Sequence, residues 1–188
     1  TLLAANMAVA LARRGKTLLW DLDTEAPGIH RIHALRPAGP IRDGFFDWLL
    51  DWQQHRERTP GAQDLRKFGK AIRETPFSNL NLLPAHGDDA DAAALYYAID
   101  WRFWLGDAPG RARELFGVLL DHLGAQGYRH VVLDSRTGLT DLSALAASVL
   151  PDATVLVGGY SAQNLGGLAQ AWRALKRDDS AIRNMRGD

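Results

Sequence analysis

Cysteine is absent. That excludes disulfides, thiolate metal sites and iron–sulfur clusters. It also suits a reducing cytoplasm, which is the expected location. Net charge is absent too, since 22 basic and 22 acidic residues balance. Nothing global therefore calls for nucleic acid or an anionic membrane. No stretch approaches the ~18 uninterrupted apolar residues of a membrane span, and no signal peptide is visible. A Gly-x-Gly-x-x-Gly turn after a strand is missing, which argues against a dinucleotide-dependent dehydrogenase. The chain also lacks an initiator Met. It opens on Thr1-Leu2-Leu3-Ala4 already in helical pattern, with Leu3, Met7, Ala10 and Leu11 on one face and no cap ahead of them. It reads as a fragment cut at the N-terminus, with a second cut expected at the C-terminus.

What is present points to one α/β domain over residues 1–188. A chain of 188 residues with 46% apolar content can bury a substantial core. The first helix runs to Arg13-Arg14 and stops at Gly15, as basic residues and a glycine at a helix end predict. A strand over Thr17–Trp20 follows. Further strands are expected at Leu80–Leu83, His130–Leu133 and Thr154–Val157. Helices are expected over Arg111–Gln126 and Leu142–Val149, and around Leu165, Leu168, Trp172 and Leu175. Helix–strand alternation with all-apolar strands predicts a mostly parallel sheet covered by helices on both faces, a three-layer arrangement. Residues 29–110 read as an irregular, aromatic-rich insertion, with Phe45–Trp52 as a short amphipathic helix. Its aromatics fit a packing role or a partner-binding surface.

Two strands end in acids. Leu18-Leu19-Trp20 runs into Asp21-Leu22-Asp23, and His130-Val131-Val132-Leu133 runs into Asp134-Ser135-Arg136-Thr137-Gly138. A fold does not need a charge after an apolar strand, and such a charge needs a partner. Strand alternation puts Asp21 and Asp23 on the same side. Both also fit the simpler job of capping the turn that follows. The other candidates carry less. His30 and His33 have no acid cluster beside them and read as surface or loop residues. Ser135 lacks the partners of a nucleophile elbow. Gln163-Asn164 reads first as a cap for the last helix.

The order of the first helix, the Gly15-Lys16 break, Asp21-Leu22-Asp23-Thr24-Glu25-Ala26-Pro27-Gly28, Asp134-Ser135-Arg136-Thr137-Gly138 and Gln163-Asn164-Leu165 resembles the MinD/ParA-like ATPases. Those form the deviant Walker A (SIMIBI) class of P-loop NTPases, and a bacterial branch is the nearest likeness. The resemblance is strongest over residues 1–28 and 128–170. It implies a Mg2+-dependent ATPase switch that closes as a nucleotide-dependent homodimer and regulates a protein partner. In this likeness Thr1 takes the place of the hydroxyl that ligates Mg2+. Asp134 is the Walker B acid at the metal, Asp23 also lies at the metal and positions the attacking water, and Asp21 contacts the hydrated metal. Gly138 offers its amide to the γ-phosphate, and Arg136 lies beside it. The glycine-rich loop that wraps the phosphates in that family is not in the sequence, so this stretch alone is expected to be inactive. The competing expectation is a degenerate, non-enzymatic interaction module working through the 29–110 insertion. DNA or a membrane as partner has no support beyond Arg173, Lys176, Arg177, Arg183 and Arg186 gathering late in the chain.

Overall fold

A computed structural model describes residues 1–23, 26–54, 59–106, 110–135, 146–147 and 150–176. The helices are α1 (Leu2–Ala12), α2 (Phe45–Gln53), α3 (Ala62–Ala71), α4 (Ala92–Ala98), α5 (Gly110–Ala125) and α6 (Ala162–Lys176). The strands are β1 (Thr17–Leu22), β2 (Arg73–Glu74), β3 (Leu80–Leu83) and β4 (His130–Ser135). They form one sheet in the order β2-β3-β1-β4. β1 runs parallel to β3 and to β4, while the short β2 pairs antiparallel at the edge. This is the expected mostly parallel α/β sheet with helices on both faces.

β1 is buried along its whole length, and its side chains alternate between two layers. Leu19 faces α1 and packs with Ala5, Ala8 and Ala12 of that helix and with Leu80 and Leu82 of β3. Leu18, Trp20 and Leu22 face the other way, into a core built from α2, α3 and α5. The α1 contact corrects the expected stripe: Ala5, Ala8 and Ala12 are buried, whereas Leu3 is exposed. α1 is apolar nearly all round, so hydrophobicity cannot single out a face. Close approach to the sheet selects the small side chains instead.

The aromatic segment belongs to the core. Trp20 meets Phe45 at 4.8 Å, Phe116 at 5.4 Å and Phe68 at 5.7 Å between ring centroids. Trp52 stacks on Trp48 at 5.9 Å and on Trp104 at 5.4 Å. The N-terminus of α2 grips the end of β3, with Phe45 N–H donating to Pro84 O and Phe46 N–H to Ala85 O, each at 2.8 Å. The Asp47 carboxylate then takes the N–H of Gly44 at 2.8 Å and of Gly87 at 2.9 Å. A Cβ at Gly87 would run into the Arg42 carbonyl oxygen, so this approach needs glycine.

One expected strand differs. Thr154–Val157 forms no ladder, and Val155 and Val157 are exposed. β-Branched residues suit a pleated surface, but they make a strand only where a neighbour supplies pairing. The helix expected over Leu142–Val149 lies almost wholly outside the described residues. Among the described residues, no helix is long and apolar enough to cross a membrane.

Candidate functional site

The site stands at the C-terminal ends of β1 and β4, beside the start of α1. The register pairs Asp21 with Asp134. Neighbours in register project from the same face of a sheet, here the α1 face. Thr1 is the N-cap of α1, and its side chain makes no capping bond. Its nitrogen lies 3.1 Å from Asp134 Oδ1. The parallel ladder and the packing of α1 on the sheet thus bring together Thr1, Asp21 and Asp134, three residues far apart in sequence.

The two acids are used differently. Asp21 Oδ1 accepts the N–H of Asp23 at 3.1 Å. Its Oδ2 accepts the N–H of Gly28 at 3.2 Å and of Ile29 at 3.3 Å. Asp134 is also buried, but its Oδ2 has no hydrogen-bond partner among the described residues. A buried acceptor left open costs stability. An unpartnered carboxylate oxygen is an acceptor that a cation can fill, and the start of α1 beside it favours an anion such as phosphate. Among the described residues, no group of three or more His, Cys, Asp or Glu could hold a metal ion. Mg2+ does not require such a cage. It keeps several waters and uses one or two carboxylates together with phosphate oxygens. The hard oxygen donors of Asp134 and Thr1 fit that habit.

Burial pushes the Asp21 carboxyl up from 3.8 to about 7. The nearby Asp134 charge adds to the rise, and the three N–H donors oppose it without overcoming it. The folded chain therefore holds more protons than the unfolded chain between pH ~4 and ~7. Stability should fall as pH rises through that window, by up to ~1.4 kcal/mol per pH unit, and level off above it. Urea unfolding of the wild type and Asp21→Asn from pH 4 to 8 checks this. The variant should lose the Asp21 part of the slope, so the gap between the two curves should change across the window; parallel curves would refute the shift.

Asp23 stands one step beyond β1. Its Oδ1 accepts the Ala26 N–H at 3.0 Å, so it closes the turn after the strand. It also lines a shallow surface depression with Phe46, His86, Ala92, Leu95 and Tyr96. The depression joins the strand tip to the aromatic segment. Its other residues come from α2, from His86 after β3 and from α4, and only packing brings them to Asp23. Arg136 and Gly138 lie outside the described residues. Two smaller readings are corrected. His30 is buried rather than on the surface, with its ring 5.9 Å from that of His86. The cap of α6 is the Ser161 hydroxyl, which accepts the Asn164 N–H at 3.2 Å, in place of Gln163-Asn164.

The mostly parallel sheet with helices on its faces matches solved structures of the P-loop NTPase fold. Within that class it is the MinD/ParA-like ATPase fold. The septum site-determining protein MinD from Pyrococcus horikoshii OT3, solved with Mg-ADP, superposes with a TM-score of 0.60 at 21% identity, over 92% of this chain and 58% of that one. The cell division ATPase MinD from Pyrococcus furiosus gives 0.52 at 23% identity, over 92% and 59%. A ParA family ATPase from Chlorobium tepidum TLS gives 0.57 at 16% identity, over 98% and 74%. This chain thus spans less than two thirds of the two MinD structures. No family model and no curated protein matches it.

Proposed function

We propose that this chain is the nucleotide-binding part of a Mg2+-dependent ATPase switch of the MinD/ParA type. The observation that carries the reading is the open, buried Asp134 Oδ2 beside the start of α1, in a fold whose solved examples include a MinD bound to Mg-ADP. Thr1 and Asp134 would hold the ion, with Asp23 beside them. Mg2+, when bound, supplies positive charge to the phosphate oxygens. Asp23 orients the attacking water. Gly138 and Arg136 serve the γ-phosphate side. Hydrolysis then relaxes the segments after β1 and β4, which opens a nucleotide-bridged homodimer and changes the hold on a protein partner. Partner choice belongs to residues 29–110, where Tyr97 stands exposed.

The rival reading, a non-enzymatic module that binds through its aromatics, needs those rings at the surface. Phe45, Phe46, Trp48, Trp52 and Phe68 are all buried. Titration of the full-length protein with a fluorescent ADP, in Mg2+ and then in EDTA, decides between them. EDTA should weaken binding by about tenfold or more, ~1.4 kcal/mol. ATP turnover in Mg2+ should be measurable. Affinity indifferent to EDTA, with no turnover, would favour the module.

A further inference from the structure

Asp21 and Asp134 are neighbours in register at one edge of the sheet, yet they are not equivalent. Asp134 has an open oxygen. Asp21 has both oxygens committed to the backbone of its own chain. Two of its three donors, Gly28 and Ile29, come from the far side of the turn, where the chain re-enters the core. Ile29 is buried in the α1 layer and begins a 3₁₀ turn over Ile29–Arg31. The first amides of such a turn have no partner within it. The carboxylate of Asp21 supplies that partner from inside the sheet. The same side chain holds the N–H of Asp23, the residue that carries the proposed water-orienting carboxylate.

We infer that Asp21 is a positioning residue: it ties Asp23, Gly28 and Ile29 to the tip of β1 and so aims the Asp23 carboxylate, rather than holding the metal ion itself. The inference rests on the ATPase reading for the role of Asp23. The hydrogen bonds that Asp21 makes are independent of that reading. The two strand-tip acids then divide the work. Asp134 offers an oxygen to a ligand, and Asp21 fixes the geometry of the residue that acts on it. Anchoring of this kind is what catalytic positioning needs, because a displacement of ~1 Å in a positioned group can cost ~100-fold in rate.

The test uses the full-length protein, with amide hydrogen exchange, Mg2+–ADP affinity and steady-state ATP turnover. In the wild type, Gly28 and Ile29 amides should exchange as slowly as those of β1. Exchange at the rate of open loop amides would overturn the inference without any variant. In Asp21→Ala, exchange at Gly28 and Ile29 should rise about tenfold or more, the equivalent of a lost hydrogen bond. kcat should fall while KM and Mg2+–ADP affinity stay within about twofold of wild type. Asp21→Asn, which keeps one acceptor oxygen and nearly the same shape, should recover part of the protection and part of kcat. Loss of Mg2+–ADP affinity in Asp21→Asn, with exchange at Gly28 and Ile29 unchanged, would make Asp21 a metal contact and refute the inference. A wild type that binds no Mg2+–ADP would sink the ATPase reading. Slow Gly28 and Ile29 amides in that same sample would leave the tie itself standing.

Discussion

In the full-length protein, Asp134→Ala should cost at least about 100-fold in ATP turnover while leaving the fold no less stable than wild type. The two halves of that expectation come from one feature. Asp134 Oδ2 is buried and unpartnered among the described residues, an arrangement that costs ~1–3 kcal/mol. Its charge also sits beside that of Asp21, and helps to hold the Asp21 carboxyl up at about 7. Alanine removes the open acceptor and the neighbouring charge together. A residue whose removal leaves the fold as stable but ends its activity is kept for the activity. Urea unfolding and steady-state turnover on the same preparation check both halves. A variant that is strongly destabilised, or one that turns over like the wild type, would show that Asp134 is a structural residue.

Much of this arrangement can be read locally, and the rest cannot for an identifiable reason. Leu80–Leu83 and His130–Leu133 are apolar runs bounded by turn residues, and both are strands in the structure. Phe45–Trp52 shows its helical period and forms α2. The acids at the tips of β1 and β4 are visible because a charge interrupts an apolar run. The register that sets Asp21 beside Asp134 is not visible, since it pairs segments more than a hundred residues apart. Nor is the difference between the two acids, which depends on where Gly28 and Ile29 return. α1 hid its buried face because nearly every side is apolar. Thr154–Val157 has the composition of a strand but forms no ladder. His86 and Tyr96 reach the depression with Asp23 only through tertiary packing. Local chemistry is thus readable wherever it breaks a pattern, and long-range pairing decides how it is used.

The aromatic segment gives the other large effect. Phe45→Ala is expected to destabilise the fold by ~3–5 kcal/mol, the usual range for deleting a fully buried phenylalanine side chain. Phe45 has 0% exposure. Its ring contacts Trp20 at 4.8 Å, Phe46 at 5.1 Å and Phe116 at 5.6 Å, so it joins β1, α2 and α5. Tyr97→Ala should stay within ~0.5 kcal/mol of wild type, because Tyr97 is 84% exposed. Urea unfolding of the two variants separates the packing role of the segment from its surface role. Equal stability of Phe45→Ala and wild type would overturn the core described above. The same packing shows why deleting residues 53–77 is a poor probe of partner choice. That deletion removes α3 and β2, and with them the fully buried Phe68. Any loss of binding would then follow from a damaged core. Tyr97→Ala leaves the core intact, so a partner that reads this segment should lose affinity for it while the unfolding curve stays in place.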